Sequence, residues 1–437
     1  MSSSSLEPRP SNLFLGIDVG TSGIRAMVID RDGRICAEAS TALPAPLHYN
    51  NAIEQEPQLW WSGLCHVLQE LTNKIDATKI RSLCLDGTSG TVLLCDKNGT
   101  PVSPGLMYND ARADAYLNVI ARHAPANSAV HSATSGLAKW LWLQAQPYAN
   151  KAEHLCHQAD WLVGKLTGKY HISDSNNCLK TGYDPITQQW PQWFDHLAVN
   201  RGWLPMVTTP GSFIGDIQSA VATPLGLSPQ TQILSGSTDS TAAIMATGAQ
   251  QSGEAITSLG STLVLKVITE QPLFNKGYGI YSQPFGDFWL AGGGSNSGGA
   301  VLRHYFSDQQ MQSMQTQLQA DKATGLNYYP LLHDGERFPH NDSRWPARLT
   351  PRPERDVTFF QGLLEGITQI EHEGYRLLAE LGAPYPKRIY TAGGGRTNRV
   401  WMEMRQQQLG VSIVIPAHTE AAYGMALLAK QGFEAQT

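Results

Sequence analysis

The 437-residue sequence lacks several features that would each point to a particular class of protein. No apolar run reaches the roughly 18 residues that a membrane-spanning helix needs. The formal net charge of −5 gives no sign of nucleic-acid binding, and the six cysteines include no CxxC pair of the kind found in zinc or redox sites. The GxxxxGK[ST] phosphate loop is also missing. The sequence therefore argues against a membrane span, a nucleic-acid partner and a loop-to-helix nucleotide site.

The start of the chain lacks the apolar core of a secretory signal and the arginine-rich pattern of a transit peptide, so residues 1–11 are predicted to form a disordered tail. Scattered cysteines are typical of reduced thiols in a cytoplasmic enzyme. A chain of this length exceeds one ordinary core and predicts two lobes. We expect the first lobe over residues 12–235 and the second over residues 236–432, in a monomer or a homodimer.

The segment from Leu13 to Asp30, LFLGIDVGTSGIRAMVID, is the most informative stretch. It predicts two strands joined by a turn that is rich in glycine and hydroxyl groups and includes Thr21 and Ser22. Converging backbone N–H groups in such a turn form a cradle for phosphate, and the adjacent Asp18 suits a magnesium ion carried by that phosphate. The alternative interpretation is an ordinary hairpin in which Asp18 is a turn residue.

A similar pattern recurs in the second half. Residues 255–269, AITSLGSTLVLKVIT, again predict strand, small turn and strand, with Gly260, Ser261 and Thr262 in the turn. We interpret this as a weak internal repeat that places one phosphate hairpin in each lobe, facing the other, with a nucleotide between them.

The remaining pattern predicts sheets covered by helices, with an insertion packed onto the first lobe over residues 111–203. Residues 337–355 are predicted to be a long loop with solvated arginines. Helices are predicted over residues 56–75, 240–249, 300–306, 356–381, 397–408 and 420–430, and strands over residues 14–19, 24–29, 34–39, 80–85, 388–391 and 412–415.

Phosphoryl transfer needs a phosphate cradle, a metal and a carboxylate that orients or deprotonates the attacking hydroxyl. Asp239, in GSTDSTAA, follows an apolar strand and is the candidate for that carboxylate. The alternative is a helix N-cap. Short polar side chains that suit a polyhydroxylated substrate are Asp86, Thr88, Ser89, Asn109, Asp110 and Arg112, although DGTSG alone can be a hairpin turn and Asp110 with Arg112 a surface pair.

Two glycine clusters precede predicted helices, at residues 292–299 and 393–398. Free N–H groups at a helix start suit the ribose and adenine of a nucleotide, and plain loops are the alternative.

Together these motifs resemble the FGGY family of carbohydrate kinases over nearly the whole chain. They appear in family order: GIDVGTSGIRA from Gly16, EQEPQLWW from Glu54, DGTSGTVLLCD from Asp86, YNDARA from Tyr108, DWLVGKLTG from Asp160, GSTDSTAA from Gly236, SLGST from Ser258, GGGSNSGG from Gly292, GER from Gly335, TAGGGRTN from Thr391 and TEAAYGMALLA from Thr419. The resemblance implies an α/β, two-lobed, actin-like and ribonuclease H-like fold with the nucleotide in the cleft between the lobes.

The resemblance also implies residue roles, with ATP and Mg²⁺ as cofactors. Asp18 and Asp239 would hold metal and sugar, Asp239 would be the general base, and Ser89 and Asp110 would bind sugar. The nucleotide would be bound by Thr21, Ser22, Gly260, Ser261, Thr262, Gly394, Gly395, Asn398 and Trp401.

Substrate choice is read from the segment at residues 88–90. Glycerol kinases have an Arg-Glu pair there and typical xylulokinases a Gln-Met-His run, whereas this chain has Thr88-Ser89-Gly90. The chain looks most like the small D-ribulose kinases of cyanobacteria and plants, which predicts phosphorylation of D-ribulose. The alternatives are a kinase of D-xylulose or another ketose or polyol, and an actin-like ATPase switch.

Overall fold

The computed structural model describes residues 12–436, which form two compact units. The tail predicted for residues 1–11 lies outside the described residues. Unit 1 contains residues up to Ala246 together with the chain from His418 onward, and unit 2 contains Thr247–Ala417.

Unit 1 is built on a central mixed sheet with smaller sheets beside it. In the central sheet the strands follow the order β12-β13-β6-β1-β2-β3, and β14 pairs with β6. The strands of unit 1 are β1 (Leu13–Val19), β2 (Gly23–Ile29), β3 (Ile35–Ala42), β4 (Leu47–Tyr49), β5 (Ala52–Gln55), β6 (Ile80–Gly87), β7 (Val92–Cys95), β8 (Gly105–Leu106), β9 (His154–His157), β10 (Ile172–Asp174), β11 (Met206–Thr208), β12 (Phe213–Asp216), β13 (Gln232–Leu234) and β14 (Ser237–Thr238).

Helices pack on this sheet and also form part of the insertion. The first begins at a proline, which suits the first helical turn because its missing N–H would have no partner there, and it buries the face that carries Trp60, Leu64 and Leu68. The insertion has its own apolar core around Trp140 and Phe194. The helices are α1 (Pro57–Thr72), α2 (Leu117–His123), α3 (Gly136–Gln144), α4 (Gln158–Thr167), α5 (Ser175–Cys178), α6 (Ser219–Ala222) and α7 (Asp239–Ala246).

Unit 2 has one sheet with the order β17-β18-β16-β15-β19-β20. Its strands are β15 (Glu254–Leu259), β16 (Leu263–Thr269), β17 (Tyr281–Phe285), β18 (Phe288–Ser295), β19 (Arg388–Ala392) and β20 (Ser412–Val414). Its helices are α8 (Gly299–Tyr305), α9 (Asp308–Gln315), α10 (Asp356–Glu380) and α11 (Arg399–Leu409).

The two sheets repeat one topology. In unit 1, β1, β2 and β3 form an antiparallel meander, and β6 and then β13 continue the sheet in parallel from β1. In unit 2, β15, β16 and β18 form the meander, and β19 and then β20 continue it in parallel from β15. The internal repeat predicted from the two hairpins is therefore confirmed at the level of strand order.

The chain returns to unit 1 with α12 (Ala421–Glu434), which the sequence analysis assigned to the second lobe. This helix lies on β1 so closely that a methyl group at Gly16 would come within 2.0 Å of the Ala422 carbonyl oxygen. Its small residues also lie against α7, where a methyl group at Gly424 would come within 1.9 Å of the Ala242 carbonyl oxygen. Because α7 is held in this packing, unit 1 extends past the boundary expected near residue 236.

One further expectation needs correction. The glycines at residues 292–294 lie in the buried strand β18 and not in a loop, because a methyl group at Gly292 would come within 1.9 Å of the Leu265 carbonyl oxygen on β16. The arginines of residues 337–355 are exposed, as expected, and two of them also make hydrogen bonds: Arg337 donates to Asn296 at 2.7 Å and Arg348 to the Asn327 carbonyl at 2.7 Å. In the described part of the chain, no helix combines the length and apolar character that crossing a bilayer requires.

Candidate active site

Three carboxylates meet at one edge of the central sheet of unit 1. Strands β1, β6 and β14 are parallel neighbours, and their register places Asp18 opposite Asp86 and Asp86 opposite Ser237. Asp239 follows β14 directly and opens α7. The carboxyl ends of parallel strands are where open α/β sheets bind ligands. The sheet therefore brings together three residues selected from the sequence, Asp18, Asp86 and Asp239.

Asp18 is nearly buried and has a charged partner across its own hairpin. The antiparallel register of β1 and β2 places Arg25 opposite Asp18, and Arg25 Nη1 donates to Asp18 Oδ2 at 3.2 Å. The guanidinium is half-exposed, so this ion pair leaves the carboxylate able to take other ligands. The interpretation of Asp18 as a simple turn residue does not describe it, because it is the sixth of seven residues in a buried strand.

Asp86 is fully buried, and neither of its carboxylate oxygens has a hydrogen-bond partner within residues 12–436. Burial raises the pKa of this carboxyl well above its usual range, and the negative charges of Asp18 and Asp239 raise it further. The edge therefore combines two acids, Asp18 and Asp239, with a buried carboxyl between them that favours its neutral form.

Asp239 Oδ1 accepts a hydrogen bond from the next backbone amide, that of Ser240, at 2.6 Å. A helix N-cap side chain would instead accept from an amide two or three residues further on, so this geometry does not match that alternative. Burial raises the pKa of Asp239 to about 6, and Asp18 adds to the rise, while the Ser240 amide and the positive charge of Lys180 oppose it. At neutral pH the carboxylate is therefore ionised and close to the pKa that suits a general base.

The turn at residues 88–91 lies immediately after Asp86 and Gly87. Gln158 holds it, because Gln158 Oε1 accepts from the Thr88 amide at 3.0 Å and from the Thr88 hydroxyl at 2.9 Å. Gly90 adopts a φ of +88°, a conformation that favours glycine. The hydroxyl of Ser89 is half-buried and makes no hydrogen bond with the described part of the chain. Ser89 is thus the member of this turn that is free to bind a substrate hydroxyl.

Lys139 joins this turn to the segment that follows β8. It is fully buried on α3, and its Nζ donates to the carbonyl oxygens of Gly90 at 2.7 Å and Met107 at 2.6 Å. Burial lowers the pKa of Lys139 to about 7, with Lys180 and Arg112 also lowering it and Asp110 opposing them. A lysine between two carbonyls therefore fixes the turn that carries Ser89.

Asp110 is fully buried and engaged within the protein. It accepts from the backbone amide of Ile53 at 2.6 Å and from Arg112 Nε at 2.8 Å, and Arg112 in turn binds Glu54 at 2.9 Å. The pair of Asp110 and Arg112 is not on the surface. Its visible role is to fix the segment after Met107, which Lys139 also binds.

The first hairpin turn, which the sequence predicts to be a phosphate cradle, is closed by backbone hydrogen bonds. The amide of Gly20 donates to the Gly23 carbonyl at 3.0 Å, and the Ser22 carbonyl accepts from Leu43 at 2.9 Å. The side-chain hydroxyls of Thr21 and Ser22 make no hydrogen bond within residues 12–436, and both residues reach solvent. These hydroxyls remain available to phosphate oxygens beside Asp18.

Unit 2 contains a cavity of about 600 Å³ at the second hairpin turn. It brings together six of the seven nucleotide-binding residues predicted in this unit, and Thr262 is the one that does not line it. The predicted residues that line the cavity are Gly260, Ser261, Gly394, Gly395, Asn398 and Trp401.

Several of these residues also make hydrogen bonds that stabilise the wall of the cavity. Asn398 Oδ1 accepts from the Trp401 amide at 3.1 Å and so caps α11, while Trp401 Nε1 donates to the Thr368 hydroxyl at 3.0 Å. The amides of Gly299 and Ala300, at the start of α8, donate to the carbonyls of the Gly260-Ser261 turn. The volume and the mixture of apolar walls with polar edges are typical of small-molecule sites.

Residues at the two sites that the sequence analysis did not select are Arg25, Lys139, Lys180 and Arg303. Arg303 lines the cavity and donates from Nη2 to the Ser261 hydroxyl at 2.9 Å. The hairpin register could have indicated Arg25, because it pairs with Asp18 across a short turn. No local signal marks the other three, since their neighbours are distant in sequence.

Magnesium fits the donor set of the acidic edge only in part. No group of three or more histidine, cysteine or carboxylate side chains in residues 12–436 is arranged to hold a metal by itself. Magnesium commonly uses one or two carboxylates together with substrate phosphates. Asp18 and Asp239 supply such carboxylates, so the residues present fit an ion that arrives with a nucleotide.

Comparison with known proteins bears on the whole chain. Family models for the N-terminal and C-terminal domains of the FGGY family of carbohydrate kinases match residues 13–246 and 255–431. A xylulose kinase of Staphylococcus epidermidis is 23% identical over 440 residues, which cover 96% of this chain and 88% of the relative. A gluconokinase of Bacillus subtilis is 21% identical, with 94% and 86% covered. The structure of Plasmodium falciparum glycerol kinase with ADP superposes with a TM-score of 0.85 at 18% identity, and covers 97% of this chain and 90% of that one.

Proposed function

Because the chain belongs to the FGGY family of carbohydrate kinases, we propose that it transfers the γ-phosphoryl group of ATP to the terminal hydroxyl of D-ribulose. The product is D-ribulose 5-phosphate. The observation that carries the choice of acceptor is the Thr88-Ser89-Gly90 turn beside the acidic edge of unit 1. The turn offers one free hydroxyl, that of Ser89, and no long or charged side chain of its own.

This turn differs from the corresponding run of typical xylulokinases, which is Gln-Met-His. Gln158 binds Thr88, and Gly90 has no side chain, so Ser89 is the residue of this turn that offers a hydroxyl to a substrate. A pentulose that differs at one hydroxyl would meet different donors here. D-xylulose remains the second candidate, because curated relatives across the chain are named xylulose kinases.

In the proposed reaction Asp239 is the general base. The proton of the sugar's terminal hydroxyl moves to the Asp239 carboxylate, the sugar oxygen bonds to the γ-phosphorus, and the bond from that phosphorus to the β–γ bridging oxygen breaks to leave ADP. Asp18 lies at the same sheet edge, across Asp86 from Asp239, and orients the acceptor. Thr21 and Ser22 donate to phosphate oxygens from the hairpin turn. A magnesium ion held by Asp18 and Asp239 would neutralise negative charge on the phosphates.

The cavity of unit 2 is the proposed nucleotide site. Gly260 and Ser261 line it at the phosphate end, where Arg303 supplies positive charge, and Thr262 completes the turn. Gly394, Gly395 and Asn398 lie at the adenosine end beside Trp401. Glycines allow a ligand to approach the backbone closely, because no side chain intervenes.

The test is a panel of acceptors with ADP release measured by a coupled assay. The panel contains D-ribulose, D-xylulose, L-ribulose, gluconate and glycerol, with a reaction without sugar as the blank. We expect kcat/KM for D-ribulose to exceed that for D-xylulose by about tenfold, the size of effect that one hydroxyl contact gives.

Other outcomes would change either the proposed acceptor or the proposed reaction. A higher kcat/KM for D-xylulose or gluconate would replace the acceptor but keep the family reaction. ATP hydrolysis that proceeds equally fast without any sugar would contradict the kinase assignment and favour an ATPase switch. A Ser89→Ala variant adds a check, because the KM for the sugar should rise while the KM for ATP stays unchanged.

A further inference from the structure

One lysine near the acidic edge of unit 1 has no role in the reaction described above. Lys180 lies in a short helical turn, Leu179–Thr181, that directly follows α5. It is half-buried, and its ammonium makes no hydrogen bond or ion pair within residues 12–436. A partly buried cation that is unpaired loses hydration, and it gains most from an anionic ligand.

The segment that carries Lys180 is anchored to the strand that leads to Asp239. Asp174 accepts from the amides of Asn176 and Asn177 at 2.9 and 3.0 Å, which fixes the start of the segment. The side-chain amide of Asn176 then donates to the Ser237 hydroxyl at 3.0 Å, and that of Asn177 donates to the Ser237 carbonyl at 3.1 Å. Ser237 is two residues before Asp239. Hydrogen bonds therefore join the segment that carries Lys180 to the strand that precedes Asp239.

The other end of the segment is held against the sugar-facing turn. The residue after Lys180 is Thr181, whose hydroxyl binds His157 Nε2 at 2.9 Å and lies against the start of α3. A methyl group placed at Gly90 would lie 3.7 Å from Lys180 Cδ, so the lysine stem passes the turn that carries Ser89. Its charge also acts on both Asp239 and Lys139. Lys180 thus lies beside the turn that carries the proposed sugar contact, and near enough to the proposed base for its charge to act on it.

The charges around this point are mostly negative. Asp18 and Asp239 share the edge with the buried Asp86, and within residues 12–436 the only cation bonded to these carboxylates is Arg25, on Asp18. A neutral sugar is compatible with such a surface, but a phosphoryl group that arrives on the sugar brings about two negative charges. Some positive charge is needed on the acceptor side, and a lysine acts on phosphate as a compact point charge.

We propose that the Lys180 ammonium contacts the phosphoryl group as it is transferred to the sugar, and holds it in the sugar phosphate product. This inference rests on the proposed function, because it assumes a neutral sugar as acceptor. Lys180 is then a catalytic residue of the acceptor side, distinct from Asp239, which takes the proton, and from Arg303, which belongs to the nucleotide cavity of unit 2.

The test compares a neutral ligand with its phosphate ester. Isothermal titration calorimetry measures binding of D-ribulose and of D-ribulose 5-phosphate to the wild type and to K180M, which keeps an unbranched side chain but removes the charge. K180R keeps the charge, and K97M removes one positive charge from an exposed turn of unit 1 as the matched control. We expect K180M to weaken ester binding at least about tenfold, to leave sugar binding within about twofold, and to lower kcat about a hundredfold. K180R should restore most of the loss, and K97M should behave as the wild type.

Other outcomes overturn the proposal. Equal weakening of sugar and ester by K180M would show that Lys180 only shapes the sugar pocket, and no change in either would show that it touches neither ligand. If the wild type phosphorylates gluconate and K180M loses gluconate itself, the lysine binds an acceptor carboxylate and the proposal is wrong. If the wild type instead prefers another neutral sugar, the proposed acceptor fails while Lys180 is judged with that sugar and its phosphate ester. A wild type without kinase activity would contradict both proposals.

Discussion

The hairpins of the two units have the same backbone plan and opposite chemistry. Asp18 and Ser258 each stand two residues before the turn glycine, Gly20 or Gly260. Across the antiparallel pair, Asp18 faces Arg25 whereas Ser258 faces Val264. Along the parallel neighbour, Asp18 faces Asp86 whereas Ser258 faces Ala392. One topology therefore supplies two hairpin turns, and we propose that the side chains beside each turn decide which part of the reaction it serves.

This difference assigns separate tasks to the units. The acidic edge of unit 1 can take a proton and share a metal, so it suits the acceptor hydroxyl. The turn of unit 2 has no acid in the matching positions and has Arg303 bonded to Ser261, so it suits phosphates that are held and not deprotonated. A substitution in one unit should therefore change one part of the kinetics and leave the other part intact.

The largest expected effect comes from the acid that has no counterpart in unit 2. Replacing Asp239 by Asn keeps the shape but removes the base, and general-base catalysis contributes about 10²- to 10⁴-fold. We expect D239N to lower kcat about a thousandfold, while ADP binding in the cavity of unit 2 stays within about twofold by calorimetry. D216N, at an exposed strand residue of unit 1, is the control for loss of one negative charge. Near-normal turnover of D239N would mean that the acidic edge of unit 1 does not supply the general base, and the proposed difference between the two units would be wrong.

Much of the fold could be predicted from local pattern. Apolar periodicity marked α1 and α10, and strand-turn-strand patterns with small turn residues marked both hairpins. Those signals are local, since a helix face or a hairpin is encoded within about twenty residues. The glycines at residues 292–294 give the same local sequence signal as a loop. Glycine is required there because β18 packs closely on β16, and only the folded sheet reveals that packing.

The candidate site could be predicted only where its residues sit in turns or at strand ends. Asp18, Asp239 and the glycines of the cavity lie in such positions. Lys139 does not, because a lysine on a helix is usually solvated, and its two carbonyl partners come from residues 49 and 32 positions away. Lys180 owes its position to bonds that Asn176 and Asn177 make with Ser237, and Arg303 reaches Ser261 in a turn 42 positions away. Asp110 was selected for its polarity, but the folded chain uses that carboxylate for Ile53 and Arg112.

A smaller effect is expected from the glycines of the cavity, which test the unit 2 side of the comparison. A methyl group at Gly394 would meet no protein atom within 4 Å, so it would enter the cavity without disturbing the fold. We expect G394A to raise the KM for ATP about tenfold through steric contact with the nucleotide, with an unchanged KM for the sugar and an unchanged Tm.

G395A is the matched variant for this test. Its methyl group would lie 2.7 Å from the Trp401 ring and 2.8 Å from Leu259 Cβ, so we expect a lower Tm as well as a higher KM for ATP. If G394A left the KM for ATP unchanged while G395A lowered only the Tm, the cavity would not be the nucleotide site.

The smallest expected effect concerns how each unit buries a positive charge. In unit 2, the buried Arg405 has a carboxylate partner, because it donates from Nε and Nη2 to Glu371 at 2.7 and 2.6 Å. In unit 1, the buried Lys139 is bonded only to carbonyl oxygens, and burial lowers its pKa to about 7. Because the unfolded chain keeps its proton up to about pH 10.4, unfolding binds a proton between these two values, and the stability due to Lys139 rises with pH in that window.

K139M should remove this dependence. The variant is less stable at every pH, because it leaves the carbonyls of Gly90 and Met107 without their donor. The difference in unfolding free energy between the wild type and K139M should be constant below pH 7. From pH 7 to pH 9 it should grow by up to about 1.4 kcal/mol per pH unit, and the difference in Tm should grow with it. Thermal unfolding at pH 6, 7, 8 and 9 measures it, with K97M as the exposed control. A Tm difference that stays constant over this range would mean that Lys139 remains charged in the fold, and the proposed contrast between a buried lysine bonded to carbonyls and a buried arginine bonded to a carboxylate would be wrong.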